Sequence, residues 1–143
     1  VGGSDFHRDF RLVRLGHPVT AVYAKSQSAG DILAAAAEGR GYITQSVRGV
    51  RLALQCRGKG FGDTVALDHE TELTCRADNA SRGMRLKIVT DEGIAAIFTK
   101  RRKRSIRGSH VISKPGFAYL LATRKVLFWE IVCAVSNPIY FES

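Results

Sequence analysis

The chain has 143 residues, 45% of them hydrophobic, and carries 22 Lys and Arg against 13 Asp and Glu for a formal charge of +9. That length supports one domain with a real core, or a small domain joined to a piece of another. No apolar run approaches the length that spans a bilayer, since the longest, Val126 to Val135, is interrupted by Glu130. Cys56, Cys75 and Cys133 are an odd count without C-x-x-C spacing, which argues against a disulfide framework or a zinc finger and for a reducing, cytoplasmic setting. The first residues are Gly-rich and acidic rather than basic and then apolar, so no signal peptide is read and the chain is expected to be a fragment of something longer.

The chain opens on Gly2-Gly3-Ser4-Asp5-Phe6-His7, with Val1 to Ser4 reading as the end of a strand. Two residues apart on an extended segment, Asp5 and His7 point to the same face and can reach one common point. A carboxylate oxygen beside a neutral imidazole nitrogen suits a divalent ion such as Zn, Mn or Fe, although an Asp–His pair on a surface also forms a simple hydrogen bond. Gly2-Gly3 is no phosphate cradle, because no Lys-Ser/Thr follows at P-loop distance and no helix begins there. Arg8 to Arg14 form a charged connection, and Leu15-Gly16-His17-Pro18 reads as a turn because the residue before a proline is pushed out of the helical region.

Val19 to Tyr23 has the β-branched and aromatic residues of a short strand. A helix follows: Ser28 caps its first turn, Asp31 faces its positive end, and Gly39 stands where a left-handed cap is expected. Ile32, Leu33, Ala36 and Ala37 give it an apolar stripe, and a further strand is expected at Gly41 to Thr44. From about Val47 the pattern changes to alternation. Leu52, Leu54 and Cys56, then Leu73, Cys75 and Ala77, then Met84, Leu86 and Ile88 point inward between polar neighbours. Gly/Asp/Asn clusters separate these runs, and further strands are expected at Ile94 to Thr99, Phe117 to Ala122 and Leu127 to Val135. About seven short strands with no helix among them predict a two-sheet β-sandwich. The expected fold is therefore mainly β, with a boundary near residue 47.

Asp5-Phe6-His7, Leu15-Gly16-His17-Pro18-Val19-Thr20-Ala21-Val22-Tyr23-Ala24 and the Ala-rich helix closed by Glu38-Gly39-Arg40-Gly41-Tyr42-Ile43-Thr44 occur in that order. The set resembles the C-terminal end of a protein of the PHP (polymerase and histidinol phosphatase) superfamily, in its branch of metal-dependent phosphoesterases. Gly62-Asp63-Thr64-Val65, Val89-Thr90-Asp91-Glu92-Gly93 and Ser136-Asn137-Pro138-Ile139-Tyr140 resemble segments of the β-sandwich often appended in that branch. The resemblance implies a distorted (β/α) barrel with several divalent metals at its strand ends. Residues 1–47 would be the barrel's last strand–helix–strand segment and residues 48–143 the accessory sandwich. Asp5 and His7 match the family's last metal-ligand pair, while its earlier His and Glu ligands have no counterpart here. The parent is thus expected to hydrolyse a phosphoester of a small molecule or nucleotide, its metals being Zn, Mn or Fe. This fragment holds an incomplete site, no complete catalytic set, and is expected to be inactive without the missing N-terminal PHP region.

Arg8 could meet a substrate phosphate through its bidentate fork, and His17 would lie near the site mouth; the plain alternatives are a linker charge and a turn residue. His69 and His110 are expected in loops and solvated, and Arg40 is expected to secure the helix end. The basic run Lys100, Arg101, Arg102, Lys103 and Arg104 has no interleaved aromatics, so a solvated loop is preferred to a nucleic-acid surface. Trp129 is expected in the core or at an edge. The rival reading is a β-sandwich module that binds a carbohydrate, a protein or a polyanion. A barrel piece without its neighbours exposes apolar surface, so residues 1–47 are expected to dock on the sandwich, to self-associate as a homodimer through the helix stripe, or to be partly disordered. No membrane partner is expected.

Overall fold

The computed structural model describes residues 16–99 and 104–143. β1 (Val19–Val22) and β2 (Gly41–Thr44) are antiparallel neighbours, with Val19 opposite Thr44 and Val22 opposite Gly41. Between them runs α1 (Ala29–Ala37). Its ends follow from local chemistry. Ser28 Oγ accepts from the Asp31 amide at 3.1 Å, satisfying one orphan donor of the first turn. At the other end Arg40 N donates to Ala35 O at 2.9 Å and Gly39 N to Ala36 O at 3.2 Å, a Schellman closure that Gly39 permits with φ +72°.

The helix does not bury the stripe its sequence suggests. Ala35 is its buried residue, whereas Leu33 is 69% exposed and Ile32 is exposed as well. The helix contacts β1 and turns Ala35 inward, leaving Ile32 and Leu33 outward.

Three strands, β3 (Arg51–Gln55), β5 (Thr71–Asp78) and β8 (Ser105–Ile112), form an antiparallel sheet in the order β3-β5-β8. The remaining strands are β4 (Thr64–Ala66), β6 (Met84–Thr90), β7 (Gly93–Thr99), β9 (Gly116–Val126), β10 (Trp129–Ser136) and β11 (Ile139–Glu142). With β1 and β2 they make an eight-stranded sheet built around β9. One edge of β9 pairs with β6, from Met84 opposite Arg124 to Thr90 opposite Ala118, and β7 lies beyond β6. The other edge pairs first with β10 and then, at Ala118, with β11, which holds the parallel strand β4.

The fold is mainly β. The expected alternation is what fills its interior. Leu52, Leu54 and Leu73 of the small sheet and Leu86, Ile88, Leu120 and Ile139 of the large one are fully buried in one hydrophobic cluster. Each such side chain contributes on the order of 1.5–3 kcal/mol when taken from water. Gly108 marks a close approach of the two sheets, because its missing side chain is where the Phe98 ring sits.

Residues on either side of position 47 share a sheet: β2 pairs with β10, Thr44 opposite Ala134 and Tyr42 opposite Ser136. The described strands β1 and β2 are thus part of the eight-stranded sheet. Three described strands, β4, β8 and β11, were not expected from the sequence. β4 and β11 are too short to show a period, and the inward positions of β8 include Gly108 and His110 rather than a row of large apolar residues. His110 accordingly lies on a strand and not in a loop.

Candidate functional site

Asp5, His7 and Arg8 lie outside the described residues, as do Lys100 to Lys103. His17 is placed in the turn that leads into β1, with its side chain exposed, beside Gly16 at φ +71°. Among the described residues, no group of three or more His, Cys, Asp or Glu side chains could hold a metal ion. The described part therefore does not by itself fit a metal centre.

What the fold does bring together is the seam between the α1 unit and the sheets. Tyr23, Tyr42 and Phe61 meet with ring centroids 5.9 to 6.3 Å apart, in tilted and edge-on arrangements that suit aromatic quadrupoles. Tyr23 Oη donates to Leu52 O at 2.6 Å, and burial pushes both tyrosine hydroxyls up from their ordinary value. Arg40, just past the helix, pairs with Glu38 at 2.7 Å and reaches Asp63 at 3.9 Å. Asp63 Oδ2 in turn accepts from Gly60 N at 2.8 Å, fixing the loop that carries Phe61. Gly62, at φ +82°, lies against the Glu38 and Gly39 carbonyls, and Asn137 Nδ2 donates to Gly39 O at 2.8 Å.

Tyr23, Arg40, Phe61 and Asp63 line a cleft of ≈ 400 Å³ with Gln55 and Lys59. It offers an aromatic floor, a guanidinium, an ammonium and a carboxylate, a donor set for holding a polar ligand. It contains no nucleophile paired with a base. Arg40 therefore does more than close the helix: it ties the helix end to the β3–β4 loop.

Two other groups of titratable residues are surface features. Arg57 Nη1 pairs with Asp68 at 2.7 Å, and His69 Nδ1 lies 2.9 Å from the same carboxylate, so His69 is in a loop as expected but carries a partner. The Arg57 hydrogen bond holds the Asp68 carboxyl below its ordinary value. Glu92 pairs with Lys114 at 2.8 Å beside Asp91 and His110, in a shallow cleft of ≈ 200 Å³. On the large sheet, Lys87 is buried and donates to Glu130 at 2.8 Å, while Thr123 donates to the same oxygen at 2.7 Å. Those two hydrogen bonds, Lys87 first, lower the Glu130 carboxyl.

The β9–β10 connection is the feature sequence reasoning missed most clearly. Leu127 and Phe128 form its two-residue turn, and with Trp129 they are 82%, 94% and 76% exposed. Trp129 is thus not a core residue; it stands at the free end of β10, where β9 is its neighbour and β2 has not yet begun to pair. The signal available in the sequence was the unbroken run Val126-Leu127-Phe128-Trp129, which has no polar alternation to bury one face.

No family model matches the chain, and no curated protein and no solved structure matches it either. No helix among the described residues is long and apolar enough to cross a membrane.

Proposed function

We propose that the chain is the C-terminal part of a PHP-type metal-dependent phosphoesterase. In this reading residues 1–47 are the end of the catalytic barrel and residues 48–143 an accessory two-sheet β-sandwich. Asp5 and His7 are two ligands of a divalent metal centre of Zn, Mn or Fe, whose other ligands come from a preceding region of the parent. Arg8 and His17 flank the mouth of that centre and contact a phosphorylated small molecule or nucleotide. The chain alone neither holds the metal at useful affinity nor turns over, because two ligands do not fix a coordination sphere.

The observation that carries the reading is the ordered set of segments from Asp5-Phe6-His7 through Glu38-Gly39-Arg40. The strand, capped helix and strand that follow Asp5 and His7 are compatible with it. The test is metal content and hydrolysis of an aryl phosphate, measured on this chain and on one extended upstream. A phosphate-releasing extended chain that loses activity on Asp5→Ala and His7→Ala supports it; an extended chain without metal or activity rejects it.

A second reading, a module binding a carbohydrate, protein or polyanion, is favoured by the seam cleft, whose Tyr23 and Phe61 rings stand beside Arg40, Asp63 and Lys59. A sugar bound there would shift the resonances of Tyr23 and Phe61 and leave those around Asp91 unmoved. Shifts spread evenly over the surface, or none, would remove this reading.

A further inference from the structure

We propose that the β9–β10 hairpin is a membrane-contacting element, its Leu127-Phe128-Trp129 tip entering the interfacial layer of an anionic lipid surface. Three observations lead there. Among the described residues the tip pairs only with itself: Val126 pairs with Trp129 and Lys125 with Glu130, whereas β6 joins β9 only at Arg124, opposite Met84, and β2 reaches β10 only at Ala134. Its turn holds Leu127 at φ +54°, a left-handed position where Gly or Asn is the easier residue, followed by a phenylalanine that is almost wholly exposed. Large apolar side chains at the point of greatest exposure add nothing to this protein's own core and suit an apolar partner.

The charge around the tip selects the partner. Lys125 and Arg124 sit directly behind it on β9, and Arg85 lies one strand away, opposite Thr123. Arg82 is in the turn that starts β6, and Arg104 accepts through its carbonyl from Ala80 N at 3.0 Å in that same turn. The acids nearby are engaged: Glu130 of the hairpin by Lys87 and Thr123, and Asp78, opposite Ser105, by Arg76. An apolar tip with basic residues on the strands behind it matches the layering of a lipid surface, in which hydrocarbon lies below anionic headgroups. Tryptophan prefers that boundary because its ring is apolar and its N–H finds water or a headgroup oxygen. A nucleic acid fits less well. Base stacking rewards the Phe128 and Trp129 rings but not the exposed aliphatic Val126, Leu127 and Val132 beside them.

Trp129 is the single tryptophan of the chain, so its emission reports on the tip alone. The experiment adds phosphatidylcholine vesicles, with or without about one-third phosphatidylserine, to the 143-residue chain and follows that emission. The expected result is a blue shift, and quenching by brominated acyl chains, with the anionic vesicles, reduced by about 1 M salt. Phe128→Asp is expected to weaken partitioning on the order of tenfold or more, and Lys125→Glu roughly fivefold or more. Both positions are exposed, so circular dichroism spectra of the variants should match that of the parent chain. Three results overturn the proposal: emission that vesicles do not change, emission quenched by a single-stranded oligonucleotide and not by vesicles, or emission already blue-shifted without vesicles in a chain that sediments as a dimer.

Discussion

Gly62→Ala tests the seam between α1 and the sheets at the point where it is tightest. A Cβ at this position would overlap the Glu38 carbonyl oxygen and lie 2.9 Å from the Gly39 carbonyl carbon. Both neighbours are backbone, held by the helix closure and by Asn137, so neither can swing aside as a side chain would. The φ of +82° adds a left-handed penalty of about 1–2 kcal/mol for a residue with a Cβ. Overpacking against fixed atoms adds roughly 1–3 kcal/mol. The expected loss is thus about 2–5 kcal/mol, or a fall in Tm of roughly 6–20 °C for a chain of this size. Gly58→Ala is the control. Gly58 has φ +77° but open space around its absent Cβ, so it should lose only the conformational part, about 1–2 kcal/mol. Urea unfolding followed by circular dichroism gives both numbers. Equal losses for the two variants would refute the close packing of Gly62 on the helix end.

The three thiols are buried and unpaired, and burial pushes Cys75 up to about 11 and raises Cys56 and Cys133 as well. None should react with a disulfide reagent at neutral pH in the folded chain, and all three should react in guanidinium; fast labelling of the native protein would contradict this. The carboxyls of Asp68, Glu92 and Glu130 are lowered by hydrogen bonds from Arg57, Lys114 and Lys87. A carboxyl lower in the folded chain than in the unfolded one adds stability above its ordinary value, 4.5 for Glu and 3.8 for Asp, which is lost as pH falls through the folded value. Urea midpoints should therefore hold at neutral pH and drop under acid, and Lys87→Met should move the Glu130 titration, read by NMR, upward toward its ordinary value, with Thr123 and Arg85 still lowering it. Ile32 and Leu33 remain outward on α1, so a homodimer through that face should dissociate on Leu33→Glu in sedimentation velocity; a chain that is monomeric before the substitution would dismiss the dimer.

Much of the strand pattern was legible because the inward residues are large and regularly spaced. Leu52, Leu54, Leu73, Leu86 and Ile88 alternate with polar neighbours, and all are buried as that alternation requires. The helix ends were legible from Ser28, Asp31 and Gly39, since capping chemistry acts within a few residues. Which face of the helix turns inward was not, because the most apolar residues, Ile32 and Leu33, stay outward while the small Ala35 is the buried one. β8 hid for a related reason: Gly108 faces inward to receive the Phe98 ring, so a packing contact looked like a gap in the pattern. The seam cleft joins Tyr23 and Arg40 to Phe61 and Asp63, about twenty to forty positions apart in the chain, through loop geometry that no local period encodes. Asp5, His7 and Arg8 were legible only as a motif, and they lie outside the described residues.

Metal loading measured together with phosphate release tests the central proposal most directly. An upstream-extended chain should bind Zn or Mn, release phosphate from an aryl phosphate, and lose both on Asp5→Ala or His7→Ala, while the 143-residue chain does neither. An extended chain that binds no metal and releases no phosphate, or one in which Asp5→Ala and His7→Ala change nothing, would contradict the phosphoesterase reading.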